Sequence, residues 1–234
     1  MSTGIRDLHA EAGAHDRTLS RRTAASGQLG RDTGEPSTRS TSKGALLKEA
    51  HAVFHALALG SSLEEVRNAC LTGSLLRQSA NETRQRIWEA LHWRFFSWEP
   101  PRWVISDLSD AAKGAFTDRR FVGLCYLHYV RRDRLTFDFV TDALFTRGRQ
   151  RYIDVRRHDV LDFLATYGTA LRRWRESTRK KLAGNVLTAL RDFGLLTGVQ
   201  RKRLQRPSVA PEVVLHLCRL LDAEGLRGRS LLEA

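Results

Sequence analysis

The sequence predicts an all-α protein folded as a compact multi-helix bundle. From residue 45 onward, large apolar residues recur at three- and four-residue spacing, which is the period of one face of an α-helix. Capping residues, prolines and glycines stand at the ends of these periodic segments. No part of 106–164 shows the alternation of apolar and polar residues that is typical of a half-buried strand. Apolar residues make up 41% of the 234 residues, so the chain can bury a core.

Apolar faces and caps place three helices in the first part of the folded region. Gly60 can adopt the left-handed conformation that ends the first helix. Ser62 with Glu65, and Ser79 with Glu82, have the spacing of a capping box, so they predict the starts of the second and third helices. The apolar face of the first helix consists of Leu46, Leu47, Ala50, Val53, Phe54 and Leu57.

Two further helices are predicted near the C-terminus. One spans about 178–193, and the other spans about 211–223, with Pro211 at its first position and Gly225 after its end. The segment between them, 199–207, has the sequence VQRKRLQRP. It is interpreted either as a loop or as a short hairpin wing.

Residues 1–44 are predicted to form a disordered polar arm, separate from a helical domain over 45–234. The arm has no aromatic residue and few large aliphatic ones, so it buries too little apolar surface to offset the entropy of ordering. It carries seven cations and five anions. Its function is interpreted either as a nucleic-acid-binding tail or as a dispensable extension.

The sequence predicts a cytoplasmic protein that does not interact with a membrane. Its first residues lack the apolar core of a secretory signal, and no apolar stretch reaches the length of about 20 residues that a membrane helix needs. Cys70, Cys125 and Cys218 are odd in number and far apart, which indicates buried apolar residues in a reducing compartment rather than disulfides or zinc ligands.

No motif in the sequence indicates catalysis. The patterns GxxxxGK[ST], GxGxxG, GxSxG and HExxH are absent. His51 and His55 lie one helical turn apart, but Ala52 stands where a metalloprotease has glutamate, and no third ligand is evident. We therefore expect a protein without catalytic residues, cofactor, metal or small-molecule substrate, which acts by binding.

The basic charge is concentrated in one region of the chain. The formal net charge is +13, and 171–206 contributes +9 of it, from 11 cations and two anions. Such a concentration predicts a polyanionic partner. Since arginine and lysine neutralise phosphates along a nucleic-acid backbone, nucleic acid is the favoured class.

The predicted helix over 178–193 has the residues of a groove-reading helix. Asn185 and Arg191 lie on its polar side, where they can hydrogen-bond bases or phosphates. Gly184 would allow a backbone to approach closely. The opposite, apolar face consists of Leu182, Val186, Leu190 and Phe193.

The predicted start of this helix carries three cations in its first turn, where the helix dipole disfavours them. A phosphate bound at 177–181 would explain why cations occupy this turn, because the helix dipole and the cations would both attract it. The complete set of predicted nucleic-acid-binding residues is Arg172, Arg173, Arg175, Ser177, Thr178, Arg179, Lys180, Lys181, Asn185, Arg191, Arg201, Lys202, Arg203 and Arg206.

The same region resembles a known family. The string WRESTRKKLAGNVLTALRDFGLL, residues 174–196, is similar to the signature W-S-x-T-x-x-K-L…L-x-x-x-G-L-L of the BrxA-like family of BREX bacteriophage-exclusion systems. Segments 75–86 and 151–164 are also similar to this family. The resemblance covers about 45–234 and leaves out the polar arm. Compared with the family pattern, the chain is expected to be truncated at its C-terminal end.

The resemblance implies a helical fold similar to the antitermination factor NusB. It also implies double-stranded DNA binding without catalysis, and other BREX system proteins as partners. We therefore expect binding of duplex DNA through 171–206, mainly by phosphate contacts. Two alternatives stay open: an assembly adaptor that docks an acidic partner protein of the same system, and RNA binding.

Overall fold

The structure, a computed structural model, describes residues 30–31, 43–149, 154–167 and 174–232. In this part of the chain, helices predominate and pack into one bundle, which confirms the predicted all-α class. A short π-helical stretch, Phe139–Leu144, follows the helix Arg134–Asp138. In chain order, the helices are α1 (Leu47–Ala58), α2 (Leu63–Thr72), α3 (Asn81–Phe95), α4 (Arg102–Ala111), α5 (Arg119–Arg132), α6 (Arg134–Asp138), α7 (Phe145–Arg149), α8 (Arg157–Ala165), α9 (Glu176–Asp192), α10 (Pro211–Ala223) and α11 (Arg229–Leu232).

Helix α5 lies at the centre of the bundle and packs against α1, α3, α4 and α10. Its side chains Phe121, Leu124 and Tyr129 are almost completely buried. Phe54 of α1 contacts the ring of Phe95 edge-on, with 5.0 Å between the ring centroids. Apolar burial of this kind is the main stabilising contribution to the fold.

The helix ends show where capping patterns were sufficient to predict structure. Ser62 and Glu65 form the predicted capping box at the start of α2. The second predicted box is wrong, because α3 begins at Asn81 and its N-cap, Ala80, offers no side-chain hydrogen bond. Arg84 instead donates hydrogen bonds to the carbonyl groups of 78 and 79, so this loop is organised by a side chain from within α3.

A small antiparallel sheet interrupts the helical pattern. Strands β1 (Asp154–Val155), β2 (Leu196–Thr197) and β3 (Lys202–Leu204) lie in the order β1-β3-β2. The β2–β3 pair confirms the hairpin interpretation of this region. Gly198 at its turn has φ +88°, and an added Cβ would lie 2.1 Å from the carbonyl oxygen of Arg201.

Strand β1 contradicts the expectation that 106–164 contains no strand. In the register, Asp154 lies opposite Arg203, and Val155 lies opposite Lys202. A strand of two residues is too short to show alternation, and its partner is about 50 residues away in the chain, so no local pattern predicts it.

Gly30, Arg31 and Gly44 of the predicted arm contact the helical core, and the carbonyl of Gly44 accepts a hydrogen bond from buried Arg94 at 2.6 Å. Gly30 is buried, and a Cβ there would lie 2.8 Å from the indole of Trp98. The guanidinium of Arg31 lies over the ring of Phe137, 5.2 Å from its centroid. The remainder of the arm up to residue 42 lies outside the described residues, so its disorder stays a prediction.

Candidate nucleic-acid interface

Helix α9 lies on the outside of the bundle, packed against α8 and β2. The predicted apolar face is confirmed, because Leu182, Val186, Leu190 and Phe193 are all at most 4% exposed. This burial fixes which side of α9 faces solvent. The opposite side carries the polar and basic residues of the helix.

The start of α9 differs from the prediction. The helix begins at Glu176, so Arg179, Lys180 and Lys181 occupy its second turn, and the first turn carries an acidic residue that suits the dipole. Lys180 pairs with Glu176 one turn away, at 2.6 Å. The premise for a phosphate resting on the helix start is therefore wrong. The cations of this segment belong to the side of the helix.

Residues spaced by three or four positions form a stripe along the solvent side of α9. Lys180 and Lys181 lie at its first end, and Arg191 lies at its other end. Between them, Gly184 leaves room for Arg157, the first residue of α8, whose Nη2 would lie 3.9 Å from a Cβ at Gly184. Arg157 thus fills the middle of the stripe. Sequence reasoning missed it, because its only local signal is its place in the short run RRH at 156–158.

Lys202 of β3 extends this row of cations. Its ammonium donates a hydrogen bond to the carbonyl of Val199, at 2.9 Å. The pKa of Lys202 is lowered, first by partial burial and then by the charges of Arg191 and Arg157, so the three cations are electrostatically coupled. We name the set Lys180, Lys181, Arg157, Arg191 and Lys202 the basic stripe.

Four of the predicted site residues, Lys180, Lys181, Arg191 and Lys202, lie in the basic stripe, and the others lie elsewhere. Arg175, Ser177, Arg201 and Arg206 are exposed, whereas Thr178 and Arg179 are half-buried. Arg203 is exposed on the outer face of the sheet and pairs with Asp154 at 3.4 Å. Arg191 pairs with its neighbour Asp192 at 2.8 Å. Exposed pairs of this kind are weak, so they leave these cations available. Arg172 and Arg173 lie outside the described residues.

Asn185 lies at the edge of the stripe. Together with Thr188, it lines a groove between α9, α5 and α10 rather than the centre of the basic surface. Thr188 donates its hydroxyl hydrogen to the carbonyl of Gly184, at 2.9 Å. Asn185 and Thr188 therefore belong to the groove side of α9, whereas Arg157 covers Gly184 in the middle of the stripe.

The histidine pair that resembles a metal site in sequence has a packing role. His51 contacts the carbonyl oxygen of Gly114 at 2.8 Å, and His55 contacts that of Ala112 at 3.1 Å. These contacts tie α1 to the loop after α4. Within the described residues, no group of three or more histidine, cysteine or acidic side chains is placed to hold a metal ion.

Comparison with family models identifies the family of this chain. A model of the BrxA family matches residues 37–220. The chain belongs to the BrxA family. This match confirms the resemblance to the BrxA-like family of BREX systems seen in 174–196. It also begins eight residues before the predicted domain start at 45.

A solved structure shares the fold. A crystal structure of an uncharacterized protein from Magnetospirillum magneticum superposes with a TM-score of 0.61 at 18% identity, over 82% of this chain and 96% of that chain. No curated protein matches the sequence. Among the described residues, no helix of this BrxA-family chain is long and apolar enough to cross a membrane. The likeness to NusB stays a prediction.

Proposed function

We propose that this BrxA-family protein is a cytoplasmic double-stranded-DNA-binding component of a BREX-type phage-defence system, and that it acts without catalysis. The observation that carries the proposal is the basic stripe. Three separate elements, α8, α9 and β3, contribute cations to one face, although like charges repel one another. A polyanion bound along this face would relieve that repulsion.

The dimensions of the stripe suit a duplex. Along α9, the stripe runs from Lys180 to Arg191, which is about 16 Å at roughly 1.5 Å per residue. That length equals about five base-pair steps of B-DNA at roughly 3.4 Å each. Cations at both ends and in the middle can therefore neutralise several phosphates of one duplex. Arg191 is the candidate for a contact with base edges, since its planar guanidinium can bind guanine at two points.

The first experiment is a fluorescence-anisotropy titration with a labelled duplex of about 30 base pairs, the matching single strand and duplex RNA, over a range of salt concentrations. We expect the tightest binding to duplex DNA, with log affinity falling linearly with log salt by about 0.9 per neutralised phosphate. Tighter binding to duplex RNA would favour the RNA alternative. The absence of binding to all three at low salt would overturn the proposal.

A charge-reversal variant locates the interface. In the triple variant Arg157→Glu, Lys180→Glu and Arg191→Glu, we expect the salt slope to fall by about three, with a loss of affinity of well over tenfold. The matched control is Arg67→Glu, Arg77→Glu and Arg102→Glu, which makes the same charge change at exposed positions outside α8, α9 and the sheet. Equal losses in both variants would show that net charge, rather than the stripe, causes binding.

A further inference from the structure

Helix α10 buries one side, exposes apolar residues next to it, and has a polar side with Glu212, Arg219 and Asp222. Val213, His216 and Leu220 are buried against the bundle. On the remaining surface, Val214 is 51% exposed and Leu215 is 62% exposed. Val214 therefore adds an exposed apolar side chain to the surface next to the buried side of α10.

An apolar groove runs beside α10. It is a cavity of about 1040 Å³, slightly larger than the range of about 300–1,000 Å³ for small-molecule sites, so it can hold several large side chains. Apolar residues from three helices and the loops beside them line it. These include Val122, Tyr126, Phe193, Val209, Val214 and Leu217. We name this feature the α10 groove.

Positive charges surround the α10 groove. Lys43, Lys48, Arg119 and Arg206 line it, and none of the four forms an ion pair with a carboxylate of the described residues. Two acidic residues also belong to the lining, so its four cations leave a net positive charge. Glu49 accepts a hydrogen bond from Gln78 at 2.9 Å, and Asp192 pairs with Arg191. Arg119 donates a hydrogen bond to Ser208 and Lys48 lies over the ring of Phe116, so these rim cations keep their charge without a carboxylate partner among the described residues.

Tyr126 adds a polar group to the floor. Its ring packs against Phe193, with 5.4 Å between the centroids, and burial raises the pKa of its phenol to about 12. The hydroxyl makes no hydrogen bond with any described residue, so it can donate one to a ligand. Tyrosines of this kind, with an apolar body and a free polar tip, are enriched at protein interfaces.

We propose that the α10 groove binds an amphipathic α-helix of a partner protein, with an apolar stripe flanked by Asp and Glu. The apolar floor would contact the apolar stripe of the partner helix, and the cationic rim would pair with its acidic flanks. A second copy of this chain is disfavoured as occupant, because each copy carries a net charge of +13 and the same cationic rim. This inference does not depend on the DNA-binding proposal.

The test uses two labelled helical peptides of about 18 residues that share one leucine stripe. One has Glu at the flanking positions, and the other has Lys. We expect the acidic peptide to bind the full-length protein at least about tenfold more tightly than the basic peptide, with affinity falling as salt increases. If the acidic peptide does not bind, or binds no better than the basic one, the proposal is wrong.

Adjacent residues of α10 provide a matched pair of variants. Val214 lines the groove, whereas Leu215 is exposed on the same helix but is not part of the lining. Val214→Glu should weaken binding of the acidic peptide at least about tenfold, and Leu215→Glu should leave it within about twofold. Equal losses in the two variants would contradict binding in the groove.

Sedimentation velocity and titration with duplex DNA distinguish a partner helix from the two other possible occupants of the α10 groove, a second copy of this chain and nucleic acid. We expect the protein to sediment as a monomer and Val214→Glu to bind duplex DNA as tightly as the unmodified chain. A dimer that Val214→Glu dissociates would assign the groove to a second copy and overturn the proposal. A loss of DNA affinity in Val214→Glu would assign the groove to nucleic acid and would also overturn the proposal.

Discussion

Nε2 of His128 lies 3.0 Å from Nε2 of His216, although 88 residues separate them in the chain, and the contact joins α5 to α10 inside the core. Nδ1 of His216 lies 2.7 Å from a carboxylate oxygen of Asp107 on α4. If both rings are neutral, one arrangement of protons satisfies both contacts. His216 donates from Nδ1 to Asp107, and His128 donates from Nε2 to His216. Three helices are thereby linked through one row of polar side chains, in which the two histidines are buried and Asp107 is half-buried.

This row predicts that acid destabilises the protein. Burial lowers the pKa of His128 well below its ordinary value, and the charges of His216 and Arg131 act in the same direction. The pKa of His216 is lowered by burial, with Asp107 opposing and Arg219 and Arg131 assisting. As pH falls below about 6.5, the unfolded chain therefore binds more protons than the folded one. Each histidine should lower the free energy of unfolding by up to about 1.4 kcal/mol per pH unit.

Urea unfolding followed by circular dichroism between neutral pH and about pH 5 measures this effect. In His128→Gln, the decrease below about pH 6.5 should be clearly smaller than in the unmodified chain. His92→Gln is the matched control, because this ring is exposed on α3. The same pH dependence in all three proteins would contradict the assignment to the buried pair.

Two helical glycines predict opposite changes in stability. A Cβ at Gly123 of α5 would lie 2.7 Å from Cγ2 of Val213 on α10, so Gly123→Ala should destabilise the fold by about 1–3 kcal/mol. A Cβ at Gly184 of α9 would meet Arg157 at an ordinary 3.9 Å, so Gly184→Ala should stabilise the fold by about 0.5–1 kcal/mol. Chemical denaturation of both variants measures the difference.

The double variant Gly123→Ala, Val213→Ala tests the cause of the first effect. Removing the methyl groups of Val213 makes room for the new Cβ, so the double variant should be less destabilised than the sum of the two single variants. Additive effects would show that the close approach of α5 and α10 is not the reason why glycine is required.

Two serines with the same sequence signature should differ in their contribution to stability. The hydroxyl of Ser62 accepts a hydrogen bond from the backbone of Glu65 at 3.2 Å, so Ser62→Ala should cost about 1 kcal/mol. Ser79 does not cap α3, and Ser79→Ala should change stability by less than about 0.5 kcal/mol. Thermal unfolding of the two variants provides the comparison. A larger loss in Ser79→Ala would contradict the observed start of α3.

The three cysteines should react with a thiol reagent at very different rates. Cys70 and Cys125 are buried, which raises the pKa of Cys70 to about 11 and that of Cys125 still further, so both stay protonated and inaccessible. Cys218 is half-buried on α10. In the native protein, Ellman's reagent should therefore modify Cys218 first. Cys218→Ser should abolish the fast phase, and a remaining fast phase would place another thiol at the surface.

Local patterns in the sequence determined the helices and the concentration of charge. The periodicity of Leu182, Val186 and Leu190 predicted the buried face of α9, because a helix that buries one face repeats its apolar residues at that spacing. Pro211 at the first position of α10 and Gly225 after its end were also predicted correctly. These signals act over a few residues, so they can be recognised without the fold.

The tertiary structure decided which distant residues meet. Arg157 joins the basic stripe because α8 packs across Gly184, and β1 pairs with β3 because the chain between them returns to the same place. His216 contacts Asp107, 109 residues away in the chain, because α10 packs close to α4. Such contacts depend on how helices are arranged in space, which no local periodicity encodes. The sequence by itself therefore determined that the protein is helical and where it is basic, and the packing of the helices determined the shape of its surfaces.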